Sequence, residues 1–329
     1  VIRVGILGAA KIAPMALIDP AWSVPGLEVS SIAARDQTRA RAFAFAHKIP
    51  KVAKDYQAII DDPMIDAVYI PLPIAAHATW TIQALKAGKH VLCEKSLAAN
   101  RAQALRMRDV SLDQGLVLMD AFHYRYHPLF EAAVAEVRGG RLGAIQRIDA
   151  SFQIQGPVPV DDIRRIYAQG GGVLMDIGCY PVSWVRHLMA SEPDVVTASA
   201  VTDPANVDVE MTAELCFKNG PTAGITGSMQ ADQKFKAEIV VTGLAGRMTI
   251  KNPLVPQLGH ELIIDVEGTS KSRTFTRKPT YQFQLEAFVA AIQDGAPLWT
   301  DADDGAKQMA VIDDCYRAAG LPIRGLDDV

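Results

Sequence analysis

The sequence predicts a two-part protein of mixed class, an α/β half with a doubly wound parallel sheet followed by an α+β half on a large, mostly antiparallel sheet. Three observations carry this. Up to residue 122, short apolar strands alternate with helices, the pattern of parallel strands joined by helical crossovers. A glycine turn stands between the first strand and the first helix. Beyond residue 123, strand follows strand across short Gly, Asn and Pro turns, which antiparallel pairing permits. With 329 residues, 49% of them apolar, the chain is long enough to bury two cores.

The elements follow in order. Ile2 to Leu7 is a strand ending at Gly8, and Ile12 to Ile18 continues as a helix. Leu27 to Ala34, Ala67 to Pro71, His90 to Glu94 and Leu116 to Ala121 read as buried strands. Thr38 to His47, His77 to Ala87 and Asn100 to Gln114 read as the helices between them. A helix at Leu129 to Val137 leads into a strand at Gln146 to Gln155, and a helix headed by three glycines comes next. Strands then run over Val195 to Thr202, Glu210 to Phe217, Ala223 to Met229, Ala237 to Thr242, Met248 to Lys251 and Glu261 to Val266. Helices at Tyr281 to Gln293 and Ala302 to Ala319 close the chain. The pattern places a domain boundary near residue 122, giving a first domain over 1–122 and a second over 123–329, with the last helices free to pack back on the first. The alternating apolar residues of Glu210 to Phe217 and Ala223 to Met229 leave one sheet face partly exposed, which predicts a homodimer or higher oligomer.

Composition excludes several function classes. Thirty-three basic against 37 acidic residues leave a formal charge of −4, with no basic block to track a phosphate backbone or an anionic membrane. Nucleic acid and membrane are therefore not expected as partners. Cys93, Cys179, Cys216 and Cys315 form no C-x-x-C pair, which suits a reducing cytosol better than a disulfide scaffold or a zinc site. His123 and His127 stand four apart, but no acid completes a ligand set, so no metal is expected. No apolar run is long enough to span a bilayer, and the chain opens on a strand pattern, so the expected location is cytoplasmic.

The turn Gly8-Ala9-Ala10-Lys11-Ile12-Ala13 matches the dinucleotide fingerprint G-x-G-x-x-G/A at its first and last positions and carries Ala10 at the middle one. Such a turn lets backbone N–H groups at a helix start approach a pyrophosphate, and it sits where the rule requires, after the first strand of a βαβ unit. The second strand ends in Ala33-Ala34-Arg35-Asp36, followed by Arg39. Two cations there suit the 2′-phosphate of NADP, while Asp36 leaves NAD as the lesser alternative.

The stretches GKHVLCEKSLA (Gly88 to Ala98), FHYRYHP (Phe122 to Pro128) and GGGVLMDIGCYPV (Gly170 to Val182), with the opening turn, resemble the Gfo/Idh/MocA oxidoreductase family over nearly the whole chain. They look most like the branch holding glucose–fructose oxidoreductase, NADP-dependent aldose dehydrogenases and dimeric dihydrodiol dehydrogenase. The resemblance implies a Rossmann domain joined to an open-faced sheet domain, with hydride transfer between NADP(H) and an aldose or related cyclic alcohol at their junction. A dihydrodiol or dicarbonyl oxidoreductase, or a nucleotide-binding regulatory protein without turnover, fits the same fold.

The family's E-K-P motif maps to Glu94-Lys95-Ser96, so the acid and lysine are kept and the proline is lost. Residues four apart on a helix share a face, which predicts a column of Gly172, Asp176 and Tyr180. Gly170 to Gly172 leave room for a ligand at the helix head, where unpaired N–H groups favour an electron-rich group. The resemblance implies Tyr180 as acid/base, Lys95 as its electrostatic partner and substrate binder, and Asp176 as orienter of hydroxyls. A tyrosine on a half-buried helix also reads as a packed aromatic. Cofactor contacts are expected from Gly8, Ala9, Ala10, Lys11, Ile12, Arg35, Arg39, Pro71, Pro73, His77, Glu94 and Lys95. Substrate contacts are expected from Lys95, Arg125, Asp176 and Tyr180.

Overall fold

The computed structural model of the protein describes residues 1–230 and 234–325. The chain divides into two compact units, Val1–His123 with Tyr281–Ala306, and Tyr124–Thr280 with the remainder from Lys307.

The first unit is built on a six-stranded parallel sheet in the order β3-β2-β1-β4-β5-β6. Its strands are β1 Ile2–Leu7, β2 Leu27–Ala33, β3 Lys51–Val52, β4 Ala67–Ile70, β5 His90–Cys93 and β6 Leu118–Asp120. The central strands are apolar on both faces, as burial between two helical layers demands, and Ile6, Val68 and Val91 have no exposed surface. Helices α2 Gln37–Ala46, α3 Tyr56–Ile60, α4 His77–Lys86 and α5 Arg101–Gln114 return the chain between strands, and α8 Thr280–Asp294 belongs mainly here. Starts and stops follow local chemistry: Asn100 accepts from the Gln103 N–H to open α5, and Gly115 closes it at φ +63°. Strand order reverses between β1 and β4, which places the loops after those strands on either side of a crevice at the carboxyl edge.

Three features depart from expectation. Strand β3 and helix α3 have two and five residues, too few for a hydrophobic period to register. The first helix is a π turn, Pro14–Ile18, running into the three-residue α1, Asp19–Ala21. Pro20 has no N–H for the carbonyl four residues back, so the preceding turn widens, and Asp19 N bonds Pro14 O.

The second unit carries an eight-stranded sheet in the order β14-β13-β12-β11-β7-β10-β9-β8. The strands are β7 Ile145–Gln153, β8 Asp194–Thr202, β9 Asp208–Cys216, β10 Thr222–Ser228, β11 Lys236–Gly243, β12 Gly246–Lys251, β13 Glu261–Val266 and β14 Thr269–Arg273. All pairings are antiparallel except β7 with β10. Strand β14 was not legible because every residue of Thr-Ser-Lys-Ser-Arg is exposed, which leaves no apolar alternation. Helix α7, Cys179–Met189, packs on β7 and β10, with α6, Pro128–Arg138, against it. A Cβ at Gly227 would stand 3.1 Å from the Gly178 Cα, so two facing glycines let helix and sheet approach closely. The inner face holds the apolar set, among them Ile148, Phe152, Leu215 and Ile239. The outer face is mainly polar. Its rows, such as Thr212-Thr226-Ser151-Glu238-Lys251, are mostly hydroxyl and charged residues, because the pleat sends every alternate apolar side chain inward. Helix α9, Ala302–Ala318, is the last regular element among the described residues.

Candidate active site

In the first unit, the turn after β1 is shaped for close approach. Gly8 adopts φ +116°, which strains any other residue, and a Cβ there would meet Leu72 Cδ2 at 2.9 Å, so the end of that side chain would have to move. Ala9 is buried and Ala10 half-buried, while Lys11 is exposed and Ile12 half-buried. No side chain of its own N-cap closes the helix that follows: Ala13 cannot accept, and no acid stands in the first turn. At the end of β2, Arg35 and Arg39 are both exposed, and Arg39 Nη2 donates to Ala9 O at 2.7 Å, tying α2 to the turn. Asp36 Oδ1 accepts from the N–H groups of Thr38 and Arg39, which gives that acid a use as the cap of α2. These residues fit a dinucleotide carrying a third phosphate: a bare turn at the crevice, with two cations beside it.

The loops after β4 and β5 are linked by one histidine. His77, fully buried, lies with Nε2 2.8 Å from Leu72 O and Nδ1 2.9 Å from Ser96 O, so it joins the Pro71-Leu72-Pro73 loop to the Glu94-Lys95-Ser96 loop. Burial lowers its pKa, against the pull of those carbonyls. The Lys95–Ser96 peptide is cis. Glu94, nearly buried, accepts the Tyr69 hydroxyl at 2.6 Å, and burial followed by the Glu94 charge pushes both Tyr69 and Tyr281 upward. His123 stacks on Tyr281 with ring centroids 4.0 Å apart. Burial and then the Lys95 charge hold its pKa down at about 3, so it is neutral at any working pH. His123 therefore adds no competing cation beside the lysine.

In the second unit, Asp176 and Tyr180 stand on one helical stretch, but Gly172 is not part of it. The stretch opens at Val173, runs as a π turn over Leu174–Gly178 and continues as α7. Pro181, like Pro20, lies just beyond the widened turn. The Tyr180 ring, 5% exposed, packs among Phe152, Tyr124 and Trp184 with centroids 5.7, 6.1 and 6.2 Å away. Tyr124 in turn shares a 2.7 Å hydrogen bond with Ser183. Arg125 is buried with its guanidinium 5.5 Å from the Phe130 ring, and burial lowers its pKa. Asp176 Oδ2 accepts from Arg164 Nε at 2.5 Å.

The three glycines make room for the protein itself. Gly170 takes φ +80° to end a 3-10 turn, and a Cβ on Gly171 would press the carbonyls of Ile163, Arg164 and Ile166 at 2.8–2.9 Å. Gly172, at φ +138°, faces Asp208, Arg324 and Tyr316. Asp208 Oδ2 accepts the Leu174 N–H at 2.7 Å, so the electron-rich group expected at the helix head is an internal carboxylate. Its Oδ1 takes Arg324 Nη2 at 2.7 Å and Tyr316 Oη at 3.0 Å, with both charged side chains wholly buried. Burial pushes the Asp208 carboxyl up, against the opposing pull of Arg324. Arg164, Asp208 and Arg324 were missed in the sequence. The only signal for Arg164 was its place in Asp161-Asp162-Ile163-Arg164-Arg165, and Asp208 and Arg324 lie 116 residues apart.

Comparison with known proteins gives a consistent answer. Residues 2–122 match the model of the "Oxidoreductase family, NAD-binding Rossmann fold", and residues 130–249 match the GFO/IDH/MocA C-terminal domain. A D-xylose 1-dehydrogenase (NADP(+)) of Haloferax volcanii is 35% identical, with 96% of each chain covered. The crystal structure of a 3-ketoreductase from Actinomadura kijaniata, in complex with NADP and TDP-benzene, superimposes with a TM-score of 0.88 at 30% identity, covering 96% of this chain and 97% of that one. An aldose-aldose oxidoreductase from Caulobacter crescentus, complexed with glycerol, gives 0.88 at 26% identity, with 97% of each covered. A glycine turn at the sheet's reversal point, a lysine after β5, an acid and a tyrosine on the helix after three glycines, and relatives matched end to end carry one conclusion: the chain belongs to the Gfo/Idh/MocA oxidoreductase family.

Proposed function

We propose that the protein transfers a hydride between NADP(H) and the carbinol or carbonyl carbon of an aldose or related cyclic alcohol. Two observations, one in each unit, carry this: Lys95 just after β5 in the first, and Asp176 and Tyr180 on one helical stretch in the second. Relatives named as an NADP-dependent xylose dehydrogenase and as an NADP-bound ketoreductase support it. The bound nicotinamide supplies or accepts the hydride. Gly8, Ala9, Ala10, Lys11 and Ile12 receive the pyrophosphate on backbone N–H groups, Arg35 and Arg39 hold the 2′-phosphate, and Pro71, Pro73, His77 and Glu94 shape the loops beside the ring. Tyr180 exchanges the hydroxyl proton, Lys95 holds the same oxygen and favours its deprotonated form, and Asp176 and Arg125 orient the rest of the substrate. The test is to mix the protein with NADP⁺ and a panel of aldoses, including D-xylose, and trans-dihydrodiols, and follow NADPH absorbance. Turnover of an aldose is expected. Turnover of diols alone moves the substrate class, and none at all favours a nucleotide-binding regulator.

The protein is further read as a homodimer or higher oligomer in the cytosol, with a second copy covering the outer sheet face. A shallow groove of about 540 Å³ crosses that face. Arg147 lies flat over Gly224 to reach Glu214 with two hydrogen bonds of 2.8 and 2.9 Å, flanked by Asp149, Lys236 and Glu238. Alternating charges on a flat face can match themselves across a two-fold axis. Light scattering at micromolar concentration that shows a monomer contradicts this. For the location, among the described residues no helix is long and apolar enough to cross a membrane, and none of the four cysteines is in a disulfide.

A further inference from the structure

The loop between β7 and the π turn delivers a guanidinium to the acid expected to orient substrate. Asp162 opens a 3-10 turn, Ile163–Arg165, by accepting the Arg164 N–H at 3.0 Å. The Arg164 carbonyl then accepts the Gly172 N–H at 2.9 Å, and Gly171 lets three carbonyls of this loop press against the glycine segment. The backbone of Arg164 is thereby fixed to the glycine segment that leads into Asp176. Its side chain is fixed as well: Nε donates to Asp176 Oδ2 at 2.5 Å, and Nη1 donates to Asp162 Oδ2 at 3.2 Å. The neighbouring Arg165 is engaged elsewhere, with Asp203. The Asp176 charge is the first cause of the upward shift at Arg164.

We propose that Arg164 is a positioning residue for Asp176 and thereby selects substrates rich in hydroxyl groups. The inference rests on the reading of Asp176 as the acceptor of substrate hydroxyls. A carboxylate with one oxygen committed to a guanidinium cannot rotate freely and stays an acceptor. Such a group rewards a polyol, which brings donors to it, and gives nothing to a substrate with no hydroxyl at that place. Gly171 gains a functional purpose in this arrangement, because a side chain there would lift the loop and withdraw Arg164 from the acid.

The experiment compares Arg164→Met, Arg164→Lys, Asp176→Ala and the double variant Arg164→Met with Asp176→Ala in steady state, using D-xylose and NADP⁺, with cofactor affinity measured separately by fluorescence. Arg164→Met should raise KM for the sugar about five- to twentyfold, the range for losing a charge-assisted contact at a part-exposed site, while kcat and NADP⁺ affinity change less than about twofold. Lysine should recover part of the loss, and the double variant should resemble Asp176→Ala alone. Should Asp176→Ala raise KM while Arg164→Met does not, the inference fails and the role of Asp176 stands. Should neither raise it, the reading of Asp176 fails and takes the inference with it. An Arg164→Met loss that persists undiminished in the Asp176→Ala background, or that falls on cofactor affinity equally, marks the arginine as a loop brace and overturns the proposal.

Discussion

Gly8 to Ala10 and Gly170 to Gly172 look alike in sequence and are used in opposite ways. Each precedes a helix that widens into a π turn and then meets a proline, Pro20 in one case and Pro181 in the other. Each holds a glycine at positive φ where a Cβ would collide. At the first, the helix start has no cap from its own N-cap side chain, and two exposed arginines stand nearby, so the shape suits a ligand bearing phosphates. At the second, the space is taken by Asp208, Arg324, Tyr316 and the carbonyls of the 163–166 loop. A glycine cluster before a helix therefore reports that something approaches the backbone closely. What approaches is decided elsewhere in the chain.

The comparison predicts that damage at the second segment falls on chemistry and folding, and damage at the first on cofactor binding. The largest effect is expected at Tyr180. Tyr180→Phe should lower turnover by about 10² to 10⁴, the range for removing a general acid or base, with NADP affinity nearly unchanged, and Lys95→Met should do likewise. Near-full activity in Tyr180→Phe, with Lys95→Met inactive, would return Tyr180 to the aromatic cluster in which its ring packs and leave the proton to the lysine.

Next in size is the buried latch. Asp208→Ala leaves a wholly buried arginine without its counter-charge and the Leu174 N–H without a cap, so denaturant unfolding should show a loss of about 3–5 kcal/mol. Gly8→Ala should cost about 1–2 kcal/mol, because its nearest obstacle is the movable end of Leu72. Equal losses in the two variants would erase the distinction between the segments.

At the cofactor end, Arg35→Ala should weaken NADP binding by about 1.5–3 kcal/mol and NAD binding little, as expected for a charge-assisted contact to the extra phosphate. Arg39→Ala should weaken both, since its guanidinium also holds the carbonyl of Ala9. Isothermal titration with the two cofactors separates these outcomes, and a parallel loss in Arg35→Ala contradicts the assignment.

The smallest effect concerns pH, and here the two units agree. His123 in the first is held at about 3 and His127 in the second at about 4, in each case chiefly by burial. Both values lie below that of an unfolded histidine, so the unfolded chain binds more protons and stability falls as pH drops from about 6.5 toward 4. Replacing His123 by Asn should flatten the slope of stability against pH, by roughly 1–2 kcal/mol at pH 5. A slope left unchanged would mean that His123 protonates in place.

Legibility followed the range of the interactions. The strands of the parallel sheet were readable because each is a continuous apolar run, and α5 because Asn100 and Gly115 mark its ends. Lys95, Asp176 and Tyr180 were readable because they lie within short motifs. Strands β3 and β14 were not, one being two residues long and the other exposed throughout. The column of Gly172, Asp176 and Tyr180 failed at its first member. The column presumes an α period, whereas the segment enters through a glycine at positive φ and a π turn.

By itself the sequence determined the class of each sheet, the place of the glycine turn after β1, the family, and the motifs that hold Lys95, Asp176 and Tyr180, since all of these are written in local periodicity and in motifs a dozen residues long. Only the tertiary structure decided what fills the space beside the three glycines, which side chain holds Asp176, and what His77 is used for. Those answers depend on partners from 5 to 116 residues away, brought within reach by the fold. A buried carboxylate must find a donor, and the fold alone determines which donor is within reach.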